Sequence, residues 1–115
     1  MYAKYQGYNP EYSEQAPDIS ELKALEGWTL LEFGAPWCQH CIAASEAVEQ
    51  AFRSYKSLAH IKIYDGKGKR LGRLFQVKLW PTLVLLREGK EVSRLVRPTK
   101  VSEVERLLDL ITKPE

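Results

Sequence analysis

Two cysteines three residues apart, Cys38 and Cys41, are the residues of this chain whose type and spacing suit covalent chemistry. A disulfide needs its Cα atoms about 4.4–6.8 Å apart, and residues i and i+3 in a first helical turn meet that condition without moving the backbone. Such a pair can pass between dithiol and disulfide inside one fold. As a purely structural bridge it would do little, because so short a loop removes only about 2 kcal/mol of unfolded-state entropy. Two cysteines are also too few for a secreted, disulfide-stapled framework, and in a reducing compartment their spacing reads as redox chemistry or half of a metal site. Zinc would need about four ligands, and beyond the pair only His40 and His60 are on offer, so neither a metal nor a cofactor is expected.

Position separates the roles of the two thiols. The unpaired N–H groups and dipole at a helix N-terminus favour negative charge, which makes Cys38 the expected nucleophile. Cys41, one turn further in, is the expected resolving thiol that releases a mixed disulfide by attacking Cys38. His40 lies between them, and a nearby imidazolium would stabilise the thiolate and make the disulfide more oxidising. Glu32 sits inside the apolar run Thr29-Leu30-Leu31-Glu32-Phe33. A buried, unpaired charge is costly there, so Glu32 is expected to be protonated, to face water from an edge strand, or to find a partner, for which Lys62 is the candidate. An acid beneath the resolving cysteine would move protons.

The elements that hold these residues follow from period and punctuation. Residues 1–17 are rich in Tyr, Gln, Asn and Glu without sustained period, and Tyr2, Tyr5, Tyr8 and Tyr12 are spaced as an aromatic stripe; they read as an N-terminal arm, flexible or docked locally, ahead of a domain over 18–115. Asp18 with Glu21 forms a capping pair that opens a short helix stopped by Gly27. Thr29–Phe33 is a buried strand. From about Cys38 to Tyr55 the residues Ala44, Val48, Ala51, Phe52 and Tyr55 fall at helical spacing, placing both cysteines in the first turn. Ile61, Ile63 and Tyr64 mark a strand, Asp65-Gly66-Lys67-Gly68 a turn, and Leu71, Leu74 and Phe75 a short helix. Thr82–Leu86 and Val92–Val96 read as a hairpin, and Val104, Leu107, Leu108 and Ile111 as a closing amphipathic helix. The order β-α-β-α-β-β-α predicts an α/β sheet with helices on its faces.

Composition excludes more than it selects. With 115 residues, 44% hydrophobic and 28% charged, the chain is one globular domain and neither disordered nor collagen-like. The net charge of +2 argues for no nucleic-acid or membrane partner. The run Lys67, Lys69, Arg70 and Arg73 lacks interleaved aromatics and reads as solvated surface. No apolar run approaches the roughly 20 residues of a membrane span, and the first thirty residues lack a basic-then-apolar leader, so a cytoplasmic protein is expected.

Leu31-Glu32-Phe33-Gly34-Ala35-Pro36-Trp37-Cys38-Gln39-His40-Cys41 resembles the active-site segment of the thioredoxin superfamily, and Pro81-Thr82, about forty residues on, looks like its second signature. The resemblance runs from about Asp18 to Ile111 and implies a thioredoxin fold, a central mixed sheet flanked by helices. It implies that Trp37 precedes the nucleophile, that Cys38 attacks and Cys41 resolves, that Pro81 is a cis-proline against the pair, and that the backbone at Trp80 and Thr82 pairs with substrate. Glu32 matches the buried acid of the family, and Glu-Phe-x-Ala-Pro-Trp-Cys-x-His-Cys is closer to protein disulfide isomerase domains than to thioredoxin. Four positions depart: Gln39 replaces a Gly, Gly34 an aromatic, Glu46 a helix-kinking Pro, and Trp80 a smaller residue.

The expected function is that of a thiol–disulfide oxidoreductase, a monomer exchanging electrons with protein dithiols and disulfides and served by a redox partner, reductase or oxidant. Lys78 and Arg97 would form a basic rim selecting acidic partners. The alternative is a redox-inactive binding module using the groove beside Pro81, and loss of function in a Cys38→Ser variant separates the two.

Overall fold

The computed structural model describes residues 5–66 and 70–112. Tyr2 of the aromatic stripe, Lys67 and Gly68 of the turn, and Lys69 of the basic run lie outside the described residues. Five strands form one mixed sheet: β1 (Tyr5–Gln6), β2 (Trp28–Gly34), β3 (Ala59–Tyr64), β4 (Thr82–Arg87) and β5 (Lys90–Val96), in the order β1-β3-β2-β4-β5. β2 is central, parallel to β3 and antiparallel to β4. Among the described residues four α-helices accompany it: α1 (Ile19–Lys23), α2 (Gln39–Ala51), α3 (Arg70–Leu74) and α4 (Val101–Leu108). No helix of the described residues is long and apolar enough to cross a membrane.

Side-chain alternation along the strands divides the core. Leu30, Leu83 and Leu85 face α2 and α4, where they meet Val48, Phe52, Val104 and Leu108. Leu31, Phe33, Val84 and Leu86 face the other way and bury Leu22, Leu25 and Leu71 of the α1 and α3 side. Because successive strand residues point to opposite faces, Glu32 and Gly34 share the α2 face with Leu30. The strand that carries the acid is thereby set beneath the helix that carries Cys41. β2 also has no water-facing edge, so the edge reading of Glu32 is excluded: the residue is 2% exposed.

Local signals place the ends of elements. Asp18 caps α1 with its side chain on the N–H of Glu21, and Glu21 returns a carboxylate to the Asp18 N–H, a complete capping box. α2 runs unbroken through Glu46 but stops at Ala51, and Phe52–Ser54 continue as a 3₁₀ turn, so the helix is shorter than the expected stretch to Tyr55. The hairpin closes on Glu88 and Gly89, both at positive φ (51° and 76°), the combination that matches strand twist in a two-residue turn. Residues 5–13 run beside β3: Tyr5 and Gln6 pair with His60 and Ala59, and Ser13 bridges Ile63.

Gly89 is fixed by more than its φ. A Cβ there would stand 2.3 Å from the carbonyl oxygen of Leu22, a backbone atom of α1 that cannot step aside. Gly89→Ala is expected to destabilise the fold by about 1–3 kcal/mol, read as a lower urea midpoint with unchanged slope. An unchanged midpoint would contradict this packing of the hairpin on α1.

Candidate active site

Cys38 is the N-cap of α2, with extended backbone, and its Sγ accepts the N–H of Cys41 at 3.4 Å. Helix N-termini leave N–H groups without partners, and here a sulfur takes the place usually given to an oxygen of Ser, Thr, Asp or Asn. A charge developing on Cys38 Sγ therefore meets a backbone donor and the positive end of a 13-residue helix. Cys41 lies one turn in; Cys38 is 8% and Cys41 3% exposed, and both are free thiols. Burial pushes the Cys41 thiol up to about 11, against an opposing hydrogen bond from the Ala35 backbone. The two sulfurs thus occupy different environments, one on helix donors and one in the core.

Aromatic side chains frame the exposed side of the pair. Trp37 meets Trp80 edge-on at 5.5 Å and Tyr64 at 6.5 Å between ring centroids, and its Nε1 donates to the Tyr64 hydroxyl at 3.4 Å. Trp80 Nε1 donates to Asp65 Oδ2 at 3.0 Å. That carboxylate sits against Gly72 of α3, where a Cβ would fall 2.0 Å from Asp65 Oδ1. The Trp80–Pro81 peptide is cis. Arg97, at positive φ, ties down this turn twice: its N–H donates to Pro81 O at 2.9 Å and its Nε to Trp80 O at 2.8 Å. Thr82 is buried, and its hydroxyl donates to Leu79 O at 2.6 Å. His40 and Lys78 are exposed. Cys38, Cys41 and Ala35 form one small cluster with Tyr12, Tyr64 and Trp80.

Glu32 lies beneath this cluster. Lys62 is its register neighbour on β3, yet the side chain that reaches Glu32 is His60, two residues back: His60 Nε2 is 2.9 Å from Glu32 Oε1. Tyr12 from the N-terminal segment donates to Oε2 at 2.6 Å. The expected Lys62 partner is thus corrected to His60 and Tyr12, because the Lys62 amine swings out over the Tyr12 ring, 4.2 Å from its centroid. The Asn9 backbone N–H donates to His60 Nδ1 at 2.9 Å. A nitrogen that accepts carries no proton, so His60 is the neutral tautomer with its proton on Nε2, donated to a Glu32 carboxylate. Burial would raise Glu32, but the His60 hydrogen bond, then the Lys62 charge and the Tyr12 hydrogen bond, outweigh it and hold the carboxyl below the usual range. Burial also lowers His60, only partly opposed by Glu32. Removing one partner from such a buried arrangement typically destabilises by about 3–5 kcal/mol.

Tyr12, Asn9, His60, Tyr64 and Asp65 carry roles that sequence reading does not assign. Two signals pointed toward them: the missing aromatic at Gly34, which vacates space beside Cys41, and the His60/Lys62 alternation, which puts two polar side chains on the Glu32 face of β3. Among the described residues no three His, Cys, Asp or Glu side chains gather so as to hold a metal ion.

A family model described as Thioredoxin matches residues 12–111. It begins at Tyr12, inside the segment that reads as an arm. Reduced thioredoxin 2 of Pseudomonas aeruginosa PAO1 is 48% identical in sequence, with 90% of this chain and 96% of that one aligned at a TM-score of 0.82. Thioredoxin Asp f 28 of Aspergillus fumigatus is 24% identical over 84% of this chain and 89% of its own length. A thioredoxin domain-containing protein of Theileria parva is 34% identical over 58% of this chain, which spans only 31% of that longer protein.

Acid should find the buried pair first. A His held below its ordinary value leaves the unfolded chain binding the extra proton, so stability is expected to fall as pH drops below about 6.5; a Glu held low adds a second loss below about 4.5 as its carboxylate protonates. Urea midpoints from pH 8 to 4 should show both, and His60→Gln should remove the upper one. A profile flat from pH 7 to 5 in the parent would contradict the neutral, buried His60.

Proposed function

The chain belongs to the thioredoxin family, and from that premise we propose that it exchanges electrons with protein disulfides through Cys38 and Cys41. The observation that carries the reading is Cys38 Sγ at the N-cap of α2, within reach of the Cys41 N–H and in one cluster with Trp80, whose peptide bond to Pro81 is cis. The Cys38 thiolate attacks a substrate disulfide, a mixed disulfide forms, and one substrate sulfur leaves as a thiolate with the bond's electron pair. Cys41 then loses its proton and attacks Cys38 Sγ. The Cys38–Cys41 bond forms, the bond to substrate breaks, and the second substrate thiolate departs. Substrate is reduced by two electrons and the pair is oxidised by two, and a partner dithiol restores it. Run backward, the same steps oxidise a client.

Several features support the groove as the substrate's place. Trp37, next to Cys38 in the chain, is 62% exposed, and the turn at Trp80 and Pro81 is held by Arg97, so an extended client strand would meet a preformed edge. Exposed Lys78 and the half-exposed Arg97 give this rim positive charge, which favours acidic clients.

The test is trapping. Incubated with an oxidised client peptide, Cys41→Ser should accumulate a stable mixed disulfide at Cys38, and Cys38→Ser should give none, both read by intact mass. Trapping at Cys41 instead would overturn the roles. His40 stands at the second position of α2, where a positive charge favours the reduced pair. His40→Pro should shift the reduction potential to more negative values, and an unchanged potential would remove His40 from the account.

A further inference from the structure

The Tyr12 hydroxyl stands between two groups of the site that do not otherwise meet. It donates to Glu32 Oε2 at 2.6 Å, and it belongs to the cluster around Cys41. A Cβ placed on Gly34 would lie 2.6 Å from the Tyr12 hydroxyl oxygen and 2.6 Å from Cys41 Sγ. One point this close to both atoms makes oxygen and sulfur neighbours in the space in front of Gly34. Any larger residue at position 34 would separate them. The N-terminal segment thus supplies the aromatic group that position 34 itself lacks.

We propose that Tyr12 is the proton relay of the resolving step, carrying the Cys41 proton to Glu32 across the space left by Gly34. The proposal rests on the redox reading above. In the mixed disulfide the Cys41 S–H donates to the Tyr12 oxygen while the Tyr12 O–H donates to Glu32. As Cys41 Sγ attacks Cys38 Sγ, its proton passes to the Tyr12 oxygen and the former Tyr12 proton passes to Oε2. The Cys38–Cys41 bond forms, the substrate sulfur leaves as a thiolate, and Glu32 is left as the neutral acid. Transfer from a thiol to a carboxylate is uphill alone, so it is completed only as the S–S bond forms. Before and after the transfer Tyr12 is the neutral phenol, since burial and the Glu32 charge both oppose its ionisation.

A route for the proton to water lies on the same side. An open cleft of about 390 Å³ is lined by Pro10, Tyr12, Pro36, Cys41, Ser45 and Lys62, and neither Cys38 nor Pro81 borders it. Protons then leave by one opening while the client occupies another. The titratable groups packed around the relay are Glu32 on β2, His60, Lys62 and Tyr64 on β3, Tyr8 and Glu11 on the N-terminal segment, and Cys38 at the helix start.

Stopped-flow reaction with 5,5′-dithiobis(2-nitrobenzoate) separates the two chemical steps, because attack by Cys38 and resolution by Cys41 each release one coloured thiolate. Tyr12→Phe keeps the ring over Lys62 and removes the hydroxyl alone. The first release should be unchanged and the second at least tenfold slower at pH 7, the low end of what a positioned proton acceptor supplies. In this variant the second phase should climb with pH toward ionisation of Cys41, and in the parent it should depend on pH less steeply; a packing defect would not produce that difference. Gly34→Ala, which pushes oxygen and sulfur apart, should slow the same phase. An unchanged second phase in Tyr12→Phe across pH 6–9 would overturn the relay and leave the redox reading standing. Loss of both releases in the parent would overturn that reading and the relay with it.

Discussion

A carboxylate with almost no contact with water, in the central strand of the sheet, sets conditions that much of this structure meets. Glu32 cannot stay charged there without donors, and it cannot be reached by water. His60 answers on one oxygen and Tyr12 on the other. Each answer brings its own requirement. His60 donates from Nε2 only because the Asn9 N–H occupies Nδ1, and Tyr12 arrives only because residues 5–13 run along β3. The N-terminal segment is therefore part of the charge compensation of the core, and Gly34 keeps open the space that the incoming hydroxyl fills.

The same arrangement assigns different physics to two chemically identical thiols. Cys38 ends a loop and begins a helix, so the Cys41 backbone N–H and the positive end of the helix face its sulfur. Cys41 is one turn further along and almost wholly buried, and that burial holds on to its proton. A nucleophile must be ready before its partner arrives, and a resolving group is better kept protonated until the mixed disulfide exists. In the proposed reaction the helix start would meet the first demand, and burial, which holds the Cys41 proton, would meet the second. Around them Arg97, Asp65 and Gly72 hold the Trp80 turn in place, which would shape the proposed client groove in advance of binding.

Much of the scaffold was legible because its signals are local. The capping box at Asp18 and Glu21, the hairpin turn at Glu88 and Gly89 and the helical period of α4 each depend on residues a few places apart. The Cys-x-x-Cys spacing is local in the same sense. Glu32 was visible as an anomaly, but its partner was not, since register pairs it with Lys62 while side-chain reach selects His60 on the diagonal. Tyr12 was hidden for a related reason. Its segment has no period, and its role depends on a hydroxyl meeting a strand twenty residues away at a glycine. The anchoring of Trp80 by Asp65 likewise depends on how two loops pack, which no spacing along the chain encodes.

The central claim is that Cys38 and Cys41 form a reversible two-electron couple inside an otherwise unchanged fold. Equilibration in glutathione buffers of graded poise, with the pair read by thiol trapping and Trp37 fluorescence, tests it most directly. The account predicts a single transition between dithiol and intramolecular disulfide, with a potential between the thioredoxin and isomerase values of about −270 and −180 mV. A pair that stays reduced throughout, or that yields only glutathione adducts, would contradict it.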